Sequence, residues 1–204
     1  MEDKNYLNDL KEIKEMMSKS SQFISLSGLS GVLAGIYALV GAYLAYKAIY
    51  IDYNYNLDYY DTSELAIKLL IIASFVLILS IATGIILSIK KAKQTNNKIW
   101  NATSKRLVIN FMIPLAVGGY MGLYLIEKEN FSLLTPLTLM FYGLACVNAS
   151  KYTLGDVRYL GLTMIMLGII NTFFVGYGLL FGALGFGVCH IFYGGLMWFK
   201  YDRK

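Results

Sequence analysis

Residues 69–89 read LLIIASFVLILSIATGIILSI, and residues 90–106 read KKAKQTNNKIWNATSKR. The first stretch is 21 residues without a charge, about 31 Å of helix at 1.5 Å per residue, which matches the hydrocarbon thickness of a bilayer. The second holds six cations, Lys90, Lys91, Lys93, Lys98, Lys105 and Arg106, and no acid. An apolar run of membrane length that ends in unbalanced positive charge is expected to be a transmembrane helix whose basic end stays in the cytoplasm.

The same alternation continues on both sides. Uncharged stretches predict spans at about 23–46, 65–89, 107–126, 131–149, 159–175 and 178–199. Four of the seven intervals, counting both tails, carry 15 of the 18 Lys and Arg residues, and the other three carry three Lys and six acids. The expected fold is therefore all-α, a polytopic transmembrane bundle of six spans forming one domain over 23–199. Both ends lie in the cytoplasm of a bacterial inner membrane, with 200–204 as a short basic tail. Lys68, at the outer end of the second span, is expected to extend its stem along the helix to the interface. Pro114 and Pro136 fall inside the third and fourth spans, which a membrane helix tolerates when neighbours satisfy the freed carbonyls.

Tyr159 to Phe199 is a run of 41 residues with no Lys, Arg, Asp or Glu. At about 60 Å of helix it is two crossings. The reversal is expected near Gly176, Tyr177 and Gly178, where glycine opens the backbone angles of a tight turn. A single crossing would leave Lys200, Arg203 and Lys204 outside, against the charge rule.

Composition narrows the function classes. With 57% apolar and 15% charged residues, the chain is too apolar for a typical soluble domain. Its net charge of +5 sits at helix ends facing lipid headgroups, so the lipid bilayer rather than nucleic acid is the expected partner. Cys146 and Cys189 lie in apolar runs without CxxC spacing, and no disulfide framework is expected. The first 22 residues carry nine charges and are expected to be a tail rather than a cleaved leader. Within it Tyr6, Leu10, Ile13, Met17 and Ile24 recur at helical spacing, giving an amphipathic helix that lies on the headgroups or docks a cytoplasmic partner through residues 1–20.

His190 is the one histidine and falls near the middle of the sixth span. An ionisable group at that depth is a candidate proton relay or ligand contact; the plainer account is a neutral imidazole bonded across a helix interface. Ala183, Gly187, His190 and Gly194 share a stripe, so the imidazole is expected to face another helix. Asn110, Asn148, Tyr142 and Tyr193 fall on the inner half of the bundle and form with His190 a candidate lining for a cytoplasm-facing cavity. Asn171 lies above them. Interhelical hydrogen bonds are the duller explanation of each amide.

The outer loop places Asp52, Asn54, Asn56 and Asp58 at alternate positions, with Asp61 following, like the opening of a calcium loop. Leu57 stands where the turn glycine belongs and Ser63 where the bidentate glutamate belongs. A divalent cation at Asp52, Asp58 and Asp61 is thus the weaker alternative to an interfacial belt of Tyr50, Tyr53, Tyr55, Tyr59 and Tyr60. Gly31 and Gly35, Gly118 and Gly122, and Gly178 and Gly182 form GxxxG pairs, which suit close helix crossings or a homodimer face.

The stretch from Phe141 to Trp198, with FYGLACVNASKYTLGDVRYLG followed by GYGLLFGALGFGVCHIFYG, resembles a group of small six-span bacterial integral membrane proteins, the conserved hypotheticals. The resemblance implies fold and location, and no activity or cofactor. The spans hold no paired carboxylates, no Ser/His/Asp set and no clustered metal ligands, so an intramembrane enzyme is the least expected class. A non-enzymatic protein that binds a partner or modulates the envelope is expected first. A small-molecule or lipid binder or transporter using a cavity near His190 is the alternative.

Overall fold

The computed structural model describes residue 23 and residues 26–52, 62–95 and 98–203, with backbone alone at residues 51, 52, 62 and 63. The amphipathic tail, Asp58 and Asp61 lie outside these residues, and of Asp52 only the backbone is described.

Among the described residues six long helices form, because each apolar run has no aqueous partner for its backbone and must satisfy it internally. They are α1 (Gly28–Tyr46), continued by a π-helical turn at Lys47–Asp52, α2 (Thr62–Gln94), α3 (Ala102–Glu127), α4 (Leu134–Ala149), α5 (Asp156–Phe173) and α6 (Gly178–Asp202). Two α-helical pieces of α6, Gly178–Gly182 and His190–Met197, flank a wide π-helical turn at Ala183–Cys189, and a second such turn closes it at Trp198–Asp202. Five of the six are long and apolar enough to cross a bilayer, while α5 is 18 residues and opens with Asp156 and Arg158. The protein is an all-α, multi-pass membrane bundle.

Helix boundaries depart from the hydropathy pattern at their polar ends. The first helix begins at Gly28 rather than Phe23. The Phe23 N–H donates to the Tyr152 carbonyl at 2.7 Å, and Thr153 Oγ1 donates to the Phe23 carbonyl at 2.9 Å. The Phe23 backbone, ahead of the helix, is thus strapped to the α4–α5 turn. Helix α2 runs to Gln94, about one turn past the last apolar residue, because backbone hydrogen bonding continues through the lysines. Before α4, residues Phe131–Leu133 form a 3₁₀ turn. Pro136 therefore falls in the first α-helical turn of α4, among the positions whose N–H has no partner within the α-helix. Between α5 and α6 the chain reverses at Phe174–Tyr177, with Gly176 at φ +91°.

Two glycine-lined crossings set the packing. Helices α1 and α6 meet where a side chain on Gly35 would lie 2.6 Å from the Gly187 carbonyl, and one on Gly194 would lie 2.6 Å from the Val32 nitrogen. Helices α4 and α5 meet at Gly143 and Gly161, each of whose added Cβ would lie 2.6 Å from the other's carbonyl. Leu139, Leu160 and Met164 form the core between α4, α5 and α6, and Cys146, Leu154, Val157 and Met197 form a second cluster nearer the basic end. Helix α2 takes its broad packing from α1, and α3 from α4, so these two flank the assembly.

All three GxxxG pairs face helices of the same chain. Gly31 and Gly35 lie against α6, Gly118 and Gly122 against Phe141 and Leu134 of α4, and Gly178 and Gly182 against Thr135. A homodimer through those faces would have to displace these intrachain contacts.

Candidate functional site

The imidazole of His190 is buried between α4 and α6. Tyr142 OH lies 2.6 Å from Nε2, and Nδ1 lies 3.1 Å from the Gly185 carbonyl oxygen. A carbonyl only accepts, so Nδ1 carries the proton, and Nε2 is left to accept from the tyrosine. Both nitrogens of a neutral ring are thereby satisfied. The acceptor sits five residues back in the wide turn Ala183–Cys189, where the helical ladder is out of register. π-Helical turns of this kind recur at functional positions. Phe186 packs edge-on to Tyr142 with centroids 5.3 Å apart, and Phe111 of α3 does so at 5.9 Å.

The remaining predicted residues do not join this pair through hydrogen bonds. Asn148 Nδ2 donates to the Asn110 carbonyl at 2.8 Å. That carbonyl is four residues before Pro114, which sits inside α3 and has no N–H to offer it. The α4 asparagine therefore replaces the helix bond that proline removes. Asn110 turns its own amide back to the Arg106 carbonyl. Tyr193 OH contacts Thr163 Oγ1 at 3.1 Å, and because Thr163 already donates to the Tyr159 carbonyl, the tyrosine is the donor. Asn171, 2% exposed, donates to the Phe174 carbonyl at 3.3 Å and leaves Oδ1 without a protein partner.

A constellation that hydropathy did not single out lies at the basic end. Lys91 Nζ donates to Asp202 Oδ1 at 2.5 Å and to the Leu26 carbonyl at 2.8 Å. The other carboxylate oxygen accepts from the Gly28 N–H at 2.8 Å and from Ser27 Oγ at 3.2 Å. Asp202 thus caps α1 from another helix, where the exposed N–H groups and helix dipole favour an anion. The two side chains are only 13% and 9% exposed. The sequence did hold a signal: Asp202 is the one acid of the C-terminal cluster, and Ser27–Gly28 reads as a helix start whose serine makes no cap of its own.

No family model matches this chain, and no curated protein or solved structure matches it either. The site is accordingly argued from its own geometry. Among the described residues no three His, Cys, Asp or Glu side chains cluster as metal ligands. Cys146 and Cys189 are both free thiols.

The basic-end contacts gather the start of α1, the end of α2, the α4–α5 turn and the end of α6. Lys200, bonded to Asp156 at 3.1 Å, adds the start of α5. Chemically, the His190–Tyr142–Gly185 unit is a closed hydrogen-bond chain that fixes α6 against α4. The Lys91–Asp202 node is a charged clasp that joins three helices.

Proposed function

We propose that the protein is a six-span inner-membrane protein with both ends in the cytoplasm. It acts without enzymatic chemistry, as a scaffold that presents its N-terminal tail to a cytoplasmic partner at the membrane surface. The observation that supports this most is the strap at Phe23. Phe23, which follows the tail in sequence, has its backbone bonded to Tyr152 and Thr153, so the point at which the tail joins the bundle is fixed amid the basic helix ends. The closed bonding of His190 counts in the same direction, because a neutral imidazole with both nitrogens bonded within the fold is accounted for by helix packing alone. A small-molecule or lipid site near His190 is the second reading, motivated by the buried Tyr142–His190 pair. It requires a ligand effect that depends on pH and disappears in His190→Ala. The six-span group that Phe141–Trp198 resembles has the same proposed architecture.

Two measurements test the proposal. In a variant lacking Cys146 and Cys189, a membrane-impermeant thiol reagent on intact cells should label Glu129→Cys and spare Lys98→Cys; the reverse pattern rejects the orientation. Photo-crosslinkers within residues 1–20 should then trap one discrete cytoplasmic protein, with crosslinkers at Glu129 as the control. Equal trapping from both positions would remove the tail as the docking element.

A further inference from the structure

We infer that the end of α2 and the start of α3 form a binding surface for anionic phospholipid headgroups, built from Lys90, Lys93, Lys98, Lys105, Arg106 and Trp100. All six side chains are exposed, and the five cations form no ion pair among the described residues. Of the other described cations at this end, Lys91 is taken up by Asp202, Lys200 by Asp156, and Arg203 lies over the Phe199 ring at 5.5 Å, while Lys151 and Arg158 stand exposed and singly on the α4–α5 side. Along α2 the division is by helix face. Lys91 turns inward beside Ala92, which is fully buried, while Lys90 and Lys93 turn away from the bundle.

Position selects the kind of anion. The apolar part of α2 ends at Ile89 after about 31 Å of helix, which sets Lys90 and Lys93 at headgroup depth. Trp100 is 68% exposed just before α3. An indole that is neither buried nor packed is costly in bulk water but favoured at the headgroup level, where its ring meets acyl carbon and its N–H meets polar groups. The loop's exit is held rigidly, since Asn101 and Ser104 cap α3 reciprocally, the Ser104 N–H donating to Asn101 Oδ1 at 2.8 Å and the Asn101 N–H to Ser104 Oγ at 2.8 Å. Five exposed cations, without an ion pair among the described residues, beside one interfacial tryptophan fit an anionic bilayer surface better than an acidic protein or a polyanion in solution, neither of which gives the indole an apolar layer.

Trp100 also supplies the probe, because Trp198 is the other of the two tryptophans. The Trp198→Phe protein is reconstituted into vesicles of phosphatidylcholine mixed with an equal amount of phosphatidylglycerol, so that both leaflets carry the anion and the result is independent of orientation. Quenching of Trp100 by headgroup spin-labelled phosphatidylglycerol is compared with quenching by spin-labelled phosphatidylcholine. A preference of at least about fivefold is expected, the attraction of roughly one lysine to an anionic surface. It should fall toward unity as salt is raised, because such charges are screened. It should also fall in Lys98→Gln/Lys105→Gln, which keeps the other cations to hold the topology. Equal quenching by the two lipids overturns the inference, as does a preference that neither salt nor the double variant reduces. The salt titration uses the otherwise native chain, so a misfolded variant leaves the test intact.

Discussion

Single residues explain themselves by what their removal would strand. Tyr142→Phe leaves His190 Nε2 buried without its donor, while the ring still packs between Phe111 and Phe186. The expected loss is about 1–2 kcal/mol in unfolding free energy, read from denaturation in detergent, with His190→Phe losing more because it strands both the Tyr142 hydroxyl and the Gly185 carbonyl. Asn148 gives a sharper case. Asn148→Ala should cost about 1 kcal/mol by orphaning the Asn110 carbonyl, and almost nothing in a Pro114→Ala background, where the helix regains its own N–H for that carbonyl. A double-mutant cycle measures the difference; additive losses would mean that Asn148 is held for another reason. Asn148 and Asn110 were visible in the sequence as inner-half amides, and so was the need of Pro114 for a substitute donor. Their pairing was not, because α3 and α4 meet in a register that hydropathy does not encode.

At the scale of helices, the small residues divide into those that set a crossing and those that face outward. Gly118 and Gly119 are neighbours in α3, yet a Cβ on Gly118 would lie 2.5 Å from Phe141 Cβ, whereas one on Gly119 meets nothing within 4 Å. Gly118→Ala should therefore destabilise by about 1–3 kcal/mol through overpacking, and Gly119→Ala should be neutral or slightly stabilising, since alanine is the better helix former. Thermal midpoints of the two purified variants decide it. Equal midpoints would show that α3 shifts freely on α4. GxxxG spacing marked Gly118 and Gly122 in the sequence but could not say whether the facing helix belonged to the same chain. That answer comes from the short hairpin Glu127–Asn130, which returns α4 directly onto α3. Likewise, the 41-residue charge-free run predicted a reversal near Gly176, while the wide turn at Ala183–Cys189 left no sequence mark beyond its glycines.

Across the whole molecule, charge does two jobs that the sequence shows as one. Counting lysines and arginines predicts an alternation of sides but treats Lys91 like Lys90. Only the packed bundle separates them, because Lys91 sits where the ends of α1, α2 and α6 converge. The clasp has a direction. Residue 202 must receive the Lys91 ammonium and also two donors from the start of α1, Gly28 N–H and Ser27 Oγ, so a carboxylate is needed there and a cation is not tolerated. Asp202→Lys should place a positive charge against a helix N-terminus and against Lys91, and Lys91→Asp should leave two carboxylates together. Each is expected to cost about 3 kcal/mol or more, as removing one member of a buried pair does. In an ordinary exposed ion pair the exchanged double variant would recover most of that loss. Here Lys91→Asp/Asp202→Lys should recover less than half, because the α1 N–H groups remain opposed by a cation. Full recovery in denaturation measurements would show that the node is a simple ion pair and that α1 takes its cap from water.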